Sequence, residues 1–275
     1  MKEILIDSGG TKSDWTVISH DSVVKEFRTA GMNPVTADII GILTDVNDVD
    51  VQNIKTVNFY GAGCATPALC EKVRTALQDK YLYSEVNVAS DVMGAARAMC
   101  GRQPGIVIIL GTGSSICRYS GSELTHTIPS GGYLIGDEGS GYAVGQAMIR
   151  ASIRGQLLEE EQAILNAKLK GQDLLSMIYG HDQPNTLIAS LASQLKFFNT
   201  KRRGQLLRPI FTRMIKERLL ALQLLDGDKL YFVGSIAFHY QKELQDALNS
   251  FNLQAELIER SPMPGLISYH IGQTR

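Results

Sequence analysis

One turn pattern occurs twice in this chain, and a protein that repeats it is constrained to build two similar sheet edges. The first copy reads Ile4-Leu5-Ile6-Asp7-Ser8-Gly9-Gly10-Thr11-Lys12-Ser13-Asp14-Trp15-Thr16-Val17-Ile18, and the second reads Ile106-Val107-Ile108-Ile109-Leu110-Gly111-Thr112-Gly113-Ser114-Ser115-Ile116-Cys117-Arg118-Tyr119. Each is an apolar strand, a tight turn of glycine and hydroxyl residues, and a returning strand. Glycines let the backbone approach a bound anion and aim successive N–H groups at it, and the hydroxyls of Thr11, Thr112 and Ser114 add neutral donors. Only the first copy ends its strand in a carboxylate. Two such turns facing one another would clamp a polyphosphate from both sides, with Asp7 where a hydrated Mg²⁺ bridges phosphate oxygens.

Ordinary hairpins whose glycines serve turn geometry alone are the competing reading. The dinucleotide-binding fingerprint fails because Ile116 stands where its third glycine belongs. A Walker-type loop fails as well, since Lys12 follows Thr11 rather than glycine and the chain returns as a strand instead of a helix.

At 275 residues the chain is long enough for two domains. Its 27 basic and 28 acidic residues nearly cancel, so no global field draws it to nucleic acid or to an anionic membrane. Lys201, Arg202, Arg203 and Arg208 cluster within a helical pattern and read as a solvated face. No apolar run is long enough for a membrane span and no leader precedes the first strand, so a cytoplasmic protein is expected, with no membrane partner. Cys64, Cys70, Cys100 and Cys117 form no CxxC pair and have no histidines at metal-ligand spacing.

The N-terminal part reads as three strands (Glu3–Ile6, Asp14–Ser19, Val23–Thr29), then strand Thr56–Tyr60, helix Pro67–Gln78, strand Glu85–Ala89 and a helix opening after Asp91. The meander recurs from Ile106, with a third strand at Glu123–Ile128. Helices are expected over Gly141–Arg154, Glu159–Lys168, Asp173–Tyr179, Thr186–Phe198 and Gln205–Leu224. Strand Lys229–Val233, helix Phe238–Asn249, strand Ala255–Ile258 and a short helix from Pro264 follow. Leu206, Ile210, Met214, Ile215, Leu219 and Leu222 recur at helical spacing and are expected in the core.

The paired turns resemble the phosphate motifs of the actin, Hsp70 and sugar-kinase superfamily. Gly136-Asp137-Glu138-Gly139-Ser140-Gly141-Tyr142 is similar to the GDEGSG segment of the BadF/BadG/BcrA/BcrD-type ATPase family, in its N-acetylglucosamine kinase branch. Gly31-Met32-Asn33-Pro34, Ser90-Asp91-Val92-Met93-Gly94-Ala95 and Phe232-Val233-Gly234-Ser235-Ile236-Ala237 match in the same order. The resemblance implies an α/β, duplicated ribonuclease-H-like (actin-like ATPase) fold of two domains with an interdomain cleft. The domains expected are 1–104, with a helix over about 262–275 packing back on it, and 105–261, carrying a helical insertion. A family of this kind closes like a hinge.

What the resemblance implies chemically is ATP-dependent phosphorylation of N-acetylglucosamine or a related amino sugar at its 6-hydroxyl, with Mg²⁺. Gly9, Gly10, Thr11, Lys12, Thr112, Gly113 and Ser114 are the expected phosphate contacts, and Gly234 and Ser235 match the turn against adenosine. Asp7 is expected to position the metal. Asn33, Asp91, Gly132 and Asp137 are the expected sugar contacts, and Asp91 the catalytic base. Read on its own, Asp91 is either an N-cap or a base, Asp137 and Glu138 suit capping, and Asn33 before Pro34 suits a turn. The family's aromatic-glycine pair is replaced here by Ser130-Gly131-Gly132-Tyr133, with Gly131 at the aromatic position. Alternatives are an ATPase coupled to a partner protein, although no cysteines here look like the iron–sulfur ligands of that activator branch, and a non-catalytic nucleotide- or sugar-binding regulator. We expect ATP and a small amino sugar as partners, a homodimer, and no nucleic acid.

Overall fold

Ile4, Leu5 and Ile6 are all fully buried, which a strand achieves only when its sheet is covered on both faces. In a computed structural model, which describes residues 2–47, 53–170 and 172–272, this strand is the centre of the first of two units. That unit runs through Gln103 and is completed by Gly121–Glu123 and the stretch from Pro262. Its elements are β1 (Lys2–Ser8), β2 (Lys12–Ser19), β3 (Ser22–Ala30), α1 (Ile39–Asp45), β4 (Ile54–Gly61), α2 (Pro67–Lys80), β5 (Glu85–Ser90) and α3 (Asp91–Cys100). The sheet order is β3-β2-β1-β4-β5. β1 pairs antiparallel with β2 and parallel with β4. Ile4 and Ile6 pack with Val73 and Leu77 of α2, while Leu5 on the opposite face packs with Tyr60 and Ala98. The edge strand β3 alternates, and its exposed Glu26 and Arg28 discourage further strand pairing. Thr66 caps α2 by accepting from the Leu69 N–H, with Pro67 in the first turn.

The second unit spans Pro104–Ser120 and Leu124–Ser261. It contains β6 (Gly105–Leu110), β7 (Ser114–Tyr119), β8 (Leu124–Ile128), α4 (Gly132–Ile135), α5 (Gly141–Ile153), α6 (Glu159–Leu169), α7 (Leu174–Tyr179), α8 (Pro184–Leu191), α9 (Thr200–Met214), β9 (Leu230–Val233), α10 (Ser235–His239), α11 (Gln241–Asn249) and β10 (Ala255–Glu259). Its sheet order, β8-β7-β6-β9-β10, repeats that of the first unit strand for strand. The β6 pairings repeat too: antiparallel to β7, parallel to β9. The fold is therefore a duplicated ribonuclease-H-like α/β architecture with helices inserted between β8 and β9. Leu207, Phe211, Met214, Ile215, Leu219 and Leu222 are buried in its core, with Leu206 and Ile210 partly buried against it.

Several elements differ from sequence expectation. The helix expected over Thr186–Phe198 is α8 followed by a 3₁₀ stretch, Ala192–Phe197. The helix expected from Gln205 opens at Thr200, because Asn199 accepts from the Arg202 N–H, and after Met214 it widens into a π-helical turn, Ile215–Leu219. The helix expected over Phe238–Asn249 is two helices, broken at Tyr240, whose buried hydroxyl donates to the Ala192 carbonyl at 2.5 Å. The basic cluster is not wholly a solvated face. Arg202 and Arg203 pair at 2.9 and 2.6 Å with Glu161 and Glu243, both almost completely buried. Among the described residues no helix is long and apolar enough to cross a membrane.

The last helix, α12 (Met263–His270), packs on α3. Met263 and Leu266 join the Leu5, Tyr60 and Ala98 cluster. At the crossing a Cβ on Gly265 would fall 2.2 Å from the Ala98 carbonyl oxygen, so the backbones touch. Gly265→Ala must push the helices apart, and overpacking of this kind costs roughly 1–3 kcal/mol. A melting temperature lowered by several degrees is expected, and an unchanged one would refute the crossing. The helix is also fixed by polar contacts: Arg97 donates to the Tyr60 hydroxyl at 2.9 Å, and that hydroxyl lies 2.9 Å from His270 Nε2. Burial, with the Arg97 charge, pushes His270 down to about 4.

Candidate active site

In the first unit the glycine turn joins β1 to β2, closed by the Gly9 N–H donating to the Lys12 carbonyl at 2.9 Å. A side chain on Gly31 would strike the Gly9 carbonyl oxygen at 2.4 Å, so the Gly31–Pro34 segment lies directly on this turn. The Met32 N–H donates to Ser8 Oγ at 2.9 Å and fixes the contact. Asn33 Oδ1 accepts from the Val35 N–H at 2.9 Å, the turn-forming role its sequence suggested. It also rests against Gly63, where φ is +86° and a Cβ would come within 2.3 Å of the same oxygen. Lys72 Nζ donates to the Pro34 carbonyl at 2.6 Å and anchors the segment from α2.

Asp7, the penultimate residue of β1, is pushed up to about 7, chiefly by burial and then by Asp14 and Asp91, with Lys12 opposing. Lys12 itself is held by Asp14 at 3.0 Å. Burial also raises Asp14, but hydrogen bonds from Lys12 and Arg28 outweigh it and hold the carboxyl low. Asp91 is raised by burial and moderated by the Val92 N–H, which donates to Oδ1 at 3.0 Å. Ser90, not Asp91, is the N-cap of α3, its Oγ accepting from the Met93 N–H at 3.2 Å. The N-cap position that the sequence left open to Asp91 belongs to Ser90, and Asp91 takes the Val92 N–H of the first turn. Gly94 is small because the Tyr60 ring occupies the space its Cβ would need.

In the second unit the turn Gly111–Ser114 closes with the Gly111 N–H donating to the Gly113 carbonyl at 3.0 Å. Its carbonyls at Gly111 and Thr112 accept from the Gly141 and Tyr142 N–H groups at the start of α5. Ser140 caps α5 through the Ala143 N–H. Asp137 is left-handed, with φ 60°, and buried. Its Oδ1 accepts from the Ser114 N–H at 3.1 Å, and Oδ2 lies beside Gly113. Burial raises its pKa, eased by the Ser114 contact and Arg218. Gly234, at φ +120°, sits on the Leu110 carbonyl, a position only glycine fills. Ser235 opens α10.

Within the second unit, then, Thr112, Gly113, Ser114, Asp137 and Gly234 come together, and within the first Gly9, Gly10, Thr11 and Asn33 do. Gly132, at φ +65°, opens α4 directly after the left-handed Gly131. Three features were missed by sequence reasoning. Tyr133 packs edge-on to Tyr142 with ring centroids 5.5 Å apart, placing an aromatic ring two residues beyond Gly131. Gly63 backs Asn33. Arg218, buried behind Ser114, carries no local sequence signal that separates it from the charged residues around it.

No protein-family model matches the chain. A curated N-acetylmuramic acid/N-acetylglucosamine kinase from Clostridium acetobutylicum is 35% identical over 116 residues, 39% of this chain. The match spans only 37% of that protein. A solved structure of a candidate N-acetylglucosamine kinase from Porphyromonas gingivalis superimposes with a TM-score of 0.91 at 32% identity, covering 98% of both chains. The ROK family glucokinase of Streptomyces griseus, solved with glucose and AMPPNP, shares the fold at a TM-score of 0.60 and 15% identity over 97% of each chain. At 32% identity over almost the whole of both chains, the Porphyromonas gingivalis relative shows the family, and this chain belongs with it in the sugar-kinase superfamily. Within it the chain is a family member of the Porphyromonas gingivalis protein along almost its whole length.

Proposed function

We propose that the protein is an ATP-dependent kinase of N-acetylglucosamine or a related amino sugar, acting on the 6-hydroxyl, in the branch that includes BadF/BadG-type ATPases. The observation that carries this reading is Asp91: a half-buried carboxylate at a helix start whose N-cap is Ser90, with its pKa raised by burial. A general base for an alcohol needs those properties. Asp91 would take the proton of the attacking hydroxyl. In the second unit Asp137 offers oxygens that accept from sugar hydroxyls, and in the first Asn33 offers an amide nitrogen that donates to one. The turns at Gly9–Thr11 and Thr112–Gly113 supply backbone N–H groups to ATP phosphates, and Gly234 and Ser235 suit the adenosine.

Among the described residues no three acidic, histidine or cysteine side chains converge on a metal position, so Asp7, a desolvated carboxylate whose neighbouring lysine is shared with Asp14, would be a single protein ligand for a cation held otherwise by phosphate and water. Mg²⁺ there would neutralise charge on the transferring phosphoryl group. Support for an amino sugar comes from the Porphyromonas gingivalis and Clostridium acetobutylicum relatives. A cytoplasmic homodimer completes the proposal. The test is a panel of acetylated and plain hexosamines with Mg²⁺–ATP, scored by ADP release and product mass. One phosphosugar per ATP consumed is expected, with Asp137→Ala impairing sugar use more than nucleotide binding. Hydrolysis indifferent to every sugar would overturn the reading.

A further inference from the structure

The guanidinium of Arg218 is buried, comes from the π-helical turn after α9, and reaches the hydroxyl of the second phosphate turn. Its Nη1 donates to Ser114 Oγ, its Nη2 to the Ile128 carbonyl at 3.4 Å, and its Nε has no hydrogen-bond partner. The nearest charge to Nε is Glu138 Oε2 at 3.9 Å, too long for a hydrogen bond. Glu138 has a second cation in Arg213, at 3.5 Å, which is largely exposed. A buried arginine held only as a counter-ion would turn its fork squarely on the carboxylate. Arg218 instead gives its hydrogen bond to Ser114.

Ser114 is a junction. Its N–H is engaged by Asp137 Oδ1 and its Oγ by Arg218, so the residue links the turn, the acidic segment and the π-helical turn. Two carboxylates, Asp137 and Glu138, stand beside a turn read as a phosphate cradle. Without a buried cation behind them their charge would repel the ligand the turn is shaped for. A π-turn adds a residue to the helical register and is frequent at functional sites. Here it leaves Lys216 and Glu217 exposed and buries Arg218.

We propose that Arg218 is a positioning residue that holds the Gly111–Ser114 turn, through Ser114 Oγ, in the conformation that receives nucleotide phosphate. This rests on the kinase reading only in taking that turn as a phosphate site. The test uses the full chain and two readouts, melting temperature without ligand and the Mg²⁺–ATP concentration giving half saturation in titration calorimetry. Arg218→Met should raise that concentration roughly 10- to 100-fold, the range expected on losing a charge-assisted hydrogen bond at a binding element. Arg218→Lys should recover part of it. The combined Arg218→Met and Glu138→Gln variant removes both charges, and should regain melting temperature while nucleotide affinity stays low. Restoration of both by the double variant would make Arg218 only the counter-ion of Glu138 and overturn the proposal, as would a nucleotide response of Arg218→Met within twofold of wild type. If Arg218→Met does not fold, the lysine and double variants give the same decision. A wild type that binds Mg²⁺–ATP but phosphorylates no sugar would end the kinase reading and leave this one standing.

Discussion

Asp91→Asn is expected to yield a folded protein whose sugar-dependent turnover falls by roughly 10²–10⁴, the usual contribution of a general base. The separation of fold from activity follows from the start of α3. Ser90 accepts from the Met93 N–H and is the cap, so exchanging the next side chain leaves the capping hydrogen bond in place. Asparagine retains an oxygen for the Val92 N–H but has no basic lone pair of comparable strength. The carboxylate is also raised by burial, so its neutral replacement avoids a desolvation cost, and the melting temperature should hold or rise. Ser90→Ala is the complementary control: it should lose stability by about 1 kcal/mol with a smaller effect on turnover. Near-normal turnover in Asp91→Asn would return the residue to a structural role.

The parts of this molecule legible in the sequence are those fixed by local chemistry. Continuous apolar runs at Ile4–Ile6 and Ile106–Leu110 announce doubly covered strands, and the glycines between them announce tight turns, because both signals are contained within a few residues. Helix α1 was not anticipated, its seven residues being too short to establish a period, although Asp38 caps it. Nor could the break at Tyr240 be read. A helical pattern crosses it, yet the backbone leaves the helix at Tyr240, whose buried hydroxyl meets a carbonyl far away in the chain. Arg202 and Arg203 look like surface charges until Glu161 and Glu243 are brought beneath them. The same holds at the site. Ser90 and Asp91 compete for one cap by sequence, and only geometry assigns it. Asp137 is recognisable from its glycine frame, whereas Arg218 acquires meaning from Ser114, which lies on a different element.

Asp7→Asn should stabilise the ligand-free protein while abolishing most turnover, because the carboxylate that suits a cation is unfavourable without one. Its folded pKa is about 7 against 3.8 for an ordinary aspartate, so the native state holds the proton more tightly than the unfolded chain does. Stability is therefore lost as pH rises from 3.8 through 7, by up to about 4 kcal/mol. His270 acts in the opposite sense. Its folded pKa of about 4 lies below the ordinary 6.5, so the native state resists protonation and stability is lost as pH falls from 6.5 toward 4. In the wild type the two slopes oppose one another between about pH 4 and 6.5 and flatten the profile. Asparagine at position 7 removes one of them. Denaturant unfolding across pH 4.5–8.5, a range in which both groups change charge, should show the variant gaining on the wild type as pH rises, and gaining stability with pH below 6.5 where the wild type is flat. Mg²⁺–ATP should stabilise the wild type more than the variant, since only the wild type has a desolvated charge for the metal to neutralise. A stability difference that does not change with pH would show that Asp7 is already ionised in the free protein, and would remove the electrostatic reason for placing a cation there.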